Sequence, residues 1–328
     1  MKKVLALTLA MLLCASMLAG CGKSEEEQQT EQQTTEQESA DNTNGIGMTS
    51  EDCKGKVLAW NVGVDSASFD PANSISADSK SVINNTLEGL MRNTGEGAAP
   101  AMAQQMPEEK VNEDGTVTLT YTLREATWSD GQPVTAGDFA FAWKRCADPE
   151  NQMSNAYLMS VLANYDDIAA GLADIEELGV KAVDDTTLEV TLKQPTAYFN
   201  ELLCLPAFMP LREDVAGTDS SWSKDPQRAV ANGPFVFAGY TEGKELILKK
   251  NDNYWNKDTV AMDYIVARML DEQMAPVGMA FGDISMTAGT VEQPQAQTID
   301  LAALIEQLQK SPELANTLAA LIAGQKAV

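Results

Sequence analysis

Apolar and polar positions fall into blocks of alternating or helical spacing, and these blocks set out strands and helices in turn. From Thr116 to Leu123, Val117, Leu119, Tyr121 and Leu123 lie on one side with threonines on the other, which predicts a half-buried strand entered from an Asp114-Gly115 turn. Thr187–Leu192 alternates in the same way before Gln194-Pro195 stops it, and further strands are predicted at Val57–Val62, Phe235–Gly239, Glu245–Lys249 and Tyr264–Met269. Helical spacing places Val82, Ile83, Leu87 and Leu90 on one face of Ser79–Met91. Thr135 followed by Asp138 is a capping box, opening a helix that buries Phe139, Ala142, Trp143 and Cys146 and ends before Asp148-Pro149. A second helical stretch is predicted from Asn155 to Leu178. Strands and helices interleave without a repeat period, so the expected fold class is mixed α/β (α+β) and not a solenoid.

The pattern changes at both ends. Lys2 and Lys3 precede ~14 mostly apolar residues, Val4 to Met17, and then the small residues of Leu18-Ala19-Gly20-Cys21, the layout of a secretory signal peptide over residues 1–20. The run is too short to span a bilayer, which takes about 20 residues. A cysteine directly after Leu18-Ala19-Gly20 resembles the bacterial lipobox, which implies acylation of Cys21 and a protein held to the membrane on its extracytoplasmic side. From Ser24 to Asn44 there is no aromatic residue and glutamates are spread through Gln and Thr, so residues 21–55 are expected to form a disordered acidic tether. Residues 285–328 turn to Gln, Ala and Thr and then to two short amphipathic helices between Ile299 and Ile322, broken at Ser311-Pro312, an atypical helical tail.

Composition narrows the chemistry. The 328 residues, 44% of them hydrophobic, can bury a sizeable core. The formal charge of −25 becomes −27 without Lys2 and Lys3, which disfavours nucleic acid and anionic headgroups as direct partners. There is no histidine, which removes the commonest general base and zinc ligand. Apart from Cys14 and Cys21, the cysteines are Cys53, Cys146 and Cys204; no metal spacing links them, one disulfide fits, and buried free thiols fit better. No nucleophile elbow, Walker loop, dinucleotide fingerprint or calcium loop occurs, and Asp166-Asp167 and Asp184-Asp185 have the character of helix-start and turn residues. No catalytic residue, metal ligand or cofactor is expected, and the chain is not expected to be an enzyme.

Several ordered motifs carry a family resemblance. The run Tyr121-Thr122-Leu123-Arg124-Glu125-Ala126-Thr127-Trp128-Ser129-Asp130-Gly131-Gln132-Pro133-Val134-Thr135-Ala136-Gly137-Asp138-Phe139 resembles the hallmark of the oligopeptide- and dipeptide-binding solute-binding proteins of bacterial ABC importers, extracellular solute-binding protein family 5. Ser68-Phe69-Asp70-Pro71, Leu87-Glu88-Gly89-Leu90, the stretch Leu178 to Leu192, Asn232-Gly233-Pro234-Phe235 and Asn253-Tyr254-Trp255 follow in the family's order, so the resemblance runs from about Val57 to Ile284.

The resemblance implies a lobe of a type II periplasmic binding protein over residues 56–284, with an inserted subdomain at about 93–212. It implies an oligopeptide ligand held as an added strand, and the membrane subunits of an ABC importer as partners. By position, Ile75, Ser76 and Ala77 resemble the ligand-pairing stretch and Tyr157 the tyrosine that faces the cleft, although an Ile and a Tyr suit a core equally well. Trp128, Asp130, Gly131 and Asp138 are expected to build the fold and not to touch ligand. Cys204 stands where some relatives have a histidine near the ligand, which with the missing histidines disfavours the nickel-binding branch. The family's second lobe would follow where the motifs end, so the expectation is a member truncated after its first lobe that binds peptide weakly or not at all. The alternative is a surface lipoprotein serving as an interaction or structural module without a transport role.

Overall fold

The computed structural model describes residues 45–63, 68–217, 220–271, 273–281 and 285–287. The signal peptide, Cys21, tether residues 21–44 and tail residues 288–328 lie outside the described residues. The strands in chain order are β1 (Gly45–Gly47), β2 (Val57–Asn61), β3 (Met91–Asn93), β4 (Ala98–Pro100), β5 (Glu108–Val111), β6 (Val117–Thr122), β7 (Val180–Ala182), β8 (Thr187–Leu192), β9 (Phe235–Thr241), β10 (Glu245–Lys250), β11 (Tyr264–Arg268) and β12 (Met286–Thr287). The two longer helices are α1 (Ala77–Thr86) and α2 (Ala136–Ala147).

Strands from the two ends of the described region form a six-stranded sheet, β1-β9-β10-β11-β2-β12. Its β9, β10 and β11 run antiparallel as a meander, whereas β2 lies parallel to both β11 and β12. Leu246, Ile247 and Leu248 of β10 are buried, as a strand deep in the sheet requires. The neighbouring Glu245 is also buried, and its carboxylate pairs with Arg268 directly across the ladder.

Between β2 and β9 the chain builds the hairpin β3-β4 and a four-stranded antiparallel sheet, β5-β6-β8-β7. The predicted alternation sets its register: Val117, Leu119 and Tyr121 of β6 stand opposite Leu192, Val190 and Leu188 of β8, all six buried. Helix α2 packs on β7 and β8, and its expected stripe of Phe139, Ala142, Trp143 and Cys146 is buried throughout. Trp143 meets Phe208 edge-on at 5.3 Å and donates its indole N–H to the Phe208 carbonyl at 2.9 Å.

Three expectations need correction. Gly45–Gly47, assigned to the tether, pairs with β9, and the Ser50 N–H donates to Glu245 at 3.0 Å, so the ordered fold begins before Lys56. An edge strand is held by backbone bonds and needs no apolar run, which is why composition alone misplaces it. Asn155–Leu178 is not one helix: Ala156–Val161 and Ile175–Glu177 are 3₁₀ turns and Tyr165–Ala169 a short α-helix. Asn164, left-handed at φ 64°, breaks the run, and Ala163 bonds instead to Thr191 of β8 and to Gly179, just before β7. The helix predicted to reach Met91 ends at Thr86, because Leu87 is extended and the Glu88 N–H is taken by the Asn232 side chain at 2.9 Å.

Candidate functional site

Parallel strands leave a crevice beyond their carboxyl ends, and open α/β sheets bind ligands there. In this chain β2 and β11 end together, clasped by Asn61, whose side-chain oxygen accepts from the Gly63 N–H at 3.2 Å and the Leu270 N–H at 2.9 Å. The connection from β2 to α1 carries Ser68-Phe69-Asp70-Pro71 and then Ile75-Ser76-Ala77.

The first of these motifs is a staple. Asp70 is fully buried and accepts from Arg145 Nη1 and Nη2 at 3.2 and 2.7 Å, from the Ser220 hydroxyl at 2.7 Å and from the Ala72 N–H at 2.9 Å. Arg145, on α2 and nearly as buried, also donates through Nε to the Gly217 carbonyl at 2.6 Å. A carboxylate with four donors is far from naked, which is how a buried charge is tolerated. It fixes the turn that follows it.

Asn155 makes the second attachment. Its side-chain amide donates to the Pro71 and Ser74 carbonyls at 2.9 and 3.0 Å, and its N–H donates to the Ala72 carbonyl at 3.0 Å. The segment carrying Tyr157 is thereby tied to the segment carrying Ile75, so the structure brings the expected residues together. Ile75 is 73% exposed and Tyr157 64%, which removes the core reading for both. Neither the N–H nor the C=O of Ile75 has a hydrogen-bond partner among the described residues. Ser76 is extended at φ −79°, ψ 154°, and caps α1 by accepting from the Ser79 N–H at 3.0 Å; Ala77, the first helical residue, is exposed. The pieces leave Ile75 exposed ahead of the extended Ser76, in a segment tied to the one that carries the exposed Tyr157.

The remaining motifs meet one another and not these segments. Trp128 is fully buried and donates its indole N–H to Asp138 Oδ2 at 3.1 Å; the same oxygen accepts from the Thr135 N–H at 2.8 Å to start α2. Burial pushes the Asp138 carboxyl above its usual range, against the lowering effect of those hydrogen bonds. Gly131 takes φ 88° in the turn after Trp128, and Asp130 pairs with Arg212 at the surface. The Ser129 N–H donates to the Ala231 carbonyl at 2.8 Å, and the Asn253 amide donates to the Ser129 carbonyl at 2.9 Å, joining the hallmark to two later motifs.

Glu88 is the centre of another knot. Nearly buried, it pairs with Arg92 and accepts from the Tyr254 hydroxyl at 3.2 Å and the Trp255 indole N–H at 2.5 Å. Burial first, and the Glu88 carboxylate second, push the Tyr254 phenol up to about 12, so it remains a donor. Gly233 must be glycine for this knot to close: a Cβ there would stand 2.7 Å from the Thr86 carbonyl carbon and 2.9 Å from the Leu87 nitrogen. Cys204, half-buried with its thiol pushed up by burial, lines a cavity of about 240 Å³ with Glu88 and Arg92. Cys53, Cys146 and Cys204 are all free thiols.

Sequence reasoning missed Asn155, Arg145 and Ser220 as the residues that hold the Ile75 segment. Asn155 stood two places before the chosen Tyr157, and Arg145 was a lone basic residue among the buried positions of α2, the two signals that could have marked them.

Residues 98–321 match the model of the bacterial extracellular solute-binding proteins, family 5, a span that continues past Ile284, where the ordered motifs end. The chain is 33% identical over 259 residues to the dipeptide-binding protein DppE of Bacillus subtilis, covering 76% of this chain and 47% of that protein. It is 35% identical over 233 residues to the oligopeptide-binding protein OppA of Bacillus subtilis, covering 70% and 42%. Among solved structures, Listeria monocytogenes OppA bound to peptide is 36% identical with a TM-score of 0.64, over 71% of this chain and 46% of that one. The chain spans about half the length of the curated relatives it matches.

Proposed function

Because the chain belongs to the bacterial extracellular solute-binding proteins of family 5, we propose that it supplies the peptide-facing first lobe of a receptor serving an ABC peptide importer. The family consists of solute-binding proteins, and its fold here is a mixed α/β lobe of the type II periplasmic kind. The observation that carries the reading is the exposed Ile75, its N–H and C=O unpartnered among the described residues, followed by extended backbone at Ser76 and tied through Asn155 to the segment of the exposed Tyr157. Such an edge accepts an extended peptide as an added strand through bonds that every peptide backbone offers. The Asp70–Arg145 and Asn155 attachments hold the edge in place beforehand, which lowers the ordering cost of binding.

Lipid attachment at Cys21 would hold this lobe at the extracytoplasmic face of the membrane, beside the importer subunits. Affinity of these residues alone is low. A few backbone hydrogen bonds, about 0.5–1.5 kcal/mol each, stand against association costs of roughly 4–15 kcal/mol. The test is a titration of the chain with pooled short peptides, followed by amide correlation spectra and calorimetry. The expected result is weak binding, in the high-micromolar to millimolar range, with shifts confined to residues 73–77 and the neighbourhood of Tyr157. Micromolar or tighter binding would contradict the one-sided contact, and shifts located elsewhere, or none, would exclude the peptide edge.

A further inference from the structure

We propose that a second cavity, separate from the peptide edge, binds a small aliphatic amine. It has a volume of about 460 Å³, within the roughly 300–1,000 Å³ typical of small-ligand sites. It is lined by the hallmark motif together with Asp185 and Thr186 of the β7–β8 turn and with Asn253 and Trp255. None of these residues belongs to the segments of Ile75 or Tyr157.

The lining sets the chemistry of the occupant. Ala126, Pro133 and Val134 provide apolar surface and Trp255 an aromatic wall, a match for a short hydrocarbon stem. Glu125 and Asp185 contribute two exposed carboxylates, neither with an ion pair or side-chain hydrogen bond among the described residues. The one cation of the lining, Arg124, lies over the Trp255 ring at 3.7 Å and donates through Nη2 to the Ala103 carbonyl at 3.1 Å, while its buried Nε has no partner among the described residues. Two carboxylates against one guanidinium leave the cavity with a net negative charge that an ammonium group offsets.

The backbone that carries the two acidic residues is held in position. The Asp185 carbonyl accepts from the Ala136 N–H at 2.8 Å, fixing the acidic turn to the start of α2, and the N–H of Arg124, next to Glu125, donates to the Met102 carbonyl at 2.9 Å. A free amine suits the site better than a protein surface does, because an open cavity of this volume has room for a whole small ligand but only one side chain of a larger partner.

The experiment titrates the full chain with diaminopentane, with pentanol as the uncharged counterpart and with a short acetylated lysine peptide, following amide and indole correlation spectra. The Trp255 indole signal is identified by its loss in Trp255→Phe. Diaminopentane is expected to shift that signal and the amides of residues 125–127 and 185–186, leaving residues 73–77 unchanged, while pentanol has no effect. The double variant Glu125→Gln with Asp185→Asn is expected to lose about tenfold or more in affinity, with Asp185→Asn alone falling between it and the parent and melting curves verifying that both variants fold. Equal binding by pentanol, undiminished binding by the double variant, response to the lysine peptide alone, or no shift at millimolar diaminopentane would each overturn the proposal. Peptide titration of residues 73–77 is read separately, so the two sites stand or fall independently.

Discussion

Asp70→Ala removes the acceptor at the centre of the staple. In the parent the Asp70 carboxylate takes bonds from Arg145, Ser220 and the Ala72 N–H, and the Arg145 side chain is only 2% exposed. With the carboxylate gone, the guanidinium keeps its bond to the Gly217 carbonyl but loses the Asp70 charge in a buried site. Removing one member of a buried pair in this way costs about 3–5 kcal/mol. At about 2–4 °C per kcal/mol for a domain of this size, the melting temperature should fall by roughly 6–20 °C. The same reasoning makes a second, opposite demand: replacing both members by apolar side chains is close to neutral, so Asp70→Ala combined with Arg145→Met should recover most of the loss. Urea unfolding of the parent, both single variants and the double variant gives the full cycle. A loss below about 1 kcal/mol, the worth of an exposed pair, or a double variant whose loss equals the sum of the singles would refute the account of a buried, mutually dependent pair.

Asn155→Ala should strand the Pro71 and Ser74 carbonyls and cost about 1–3 kcal/mol, measured by urea unfolding, and it should weaken peptide shifts at residues 73–77 more than Tyr157→Ala does. Asp138→Asn tests pH dependence: burial raises the folded carboxyl above its ordinary 3.8, so the folded state holds that proton more tightly than the unfolded state. The contribution is therefore present below about 3.8 and lost as pH rises through the folded value; a parent-minus-variant stability difference that does not decrease from acid toward neutral pH would contradict it. Cys21→Ala should abolish metabolic labelling with a radioactive fatty acid and partitioning into detergent; retained label would place any anchor elsewhere.

The sequence pattern was most legible where one face is buried and the other is not. Val117 to Leu123 and Thr187 to Leu192 announced their strands because period-two alternation admits a single register. Thr135 and Asp138 announced α2 because a capping box is local chemistry. Legibility failed where the deciding partner was distant. Nothing near Leu87 says that Asn232 will end α1, and nothing near Gly45 says that β9 will pair with it. The candidate site followed the same division. Ile75 and Tyr157 could be named only through resemblance to a family, since exposed apolar side chains have no periodic signature. The residues that hold them, Asp70, Arg145 and Asn155, depend on contacts across the fold.

The side chains that made the family recognisable are engaged within the fold: Asp70, Glu88 and Asp138 hold several donors each, and Trp128 is wholly enclosed. Groups so satisfied have little capacity left for a ligand. In the proposed receptor, contact with peptide therefore falls to the main chain of Ile75, whose N–H and C=O are the same whatever side chain stands there. This separates two substitutions that an account based on side-chain recognition would treat alike. Ile75→Ala keeps both backbone groups and should leave peptide affinity nearly unchanged. Ile75→Pro deletes the N–H and should weaken binding by the worth of one hydrogen bond, about 0.5–1.5 kcal/mol. The position is exposed, so matched melting curves isolate the effect from stability. If Ile75→Ala weakens binding as much as Ile75→Pro, the isoleucine side chain and not its backbone carries the contact, and the added-strand mode is wrong for this chain.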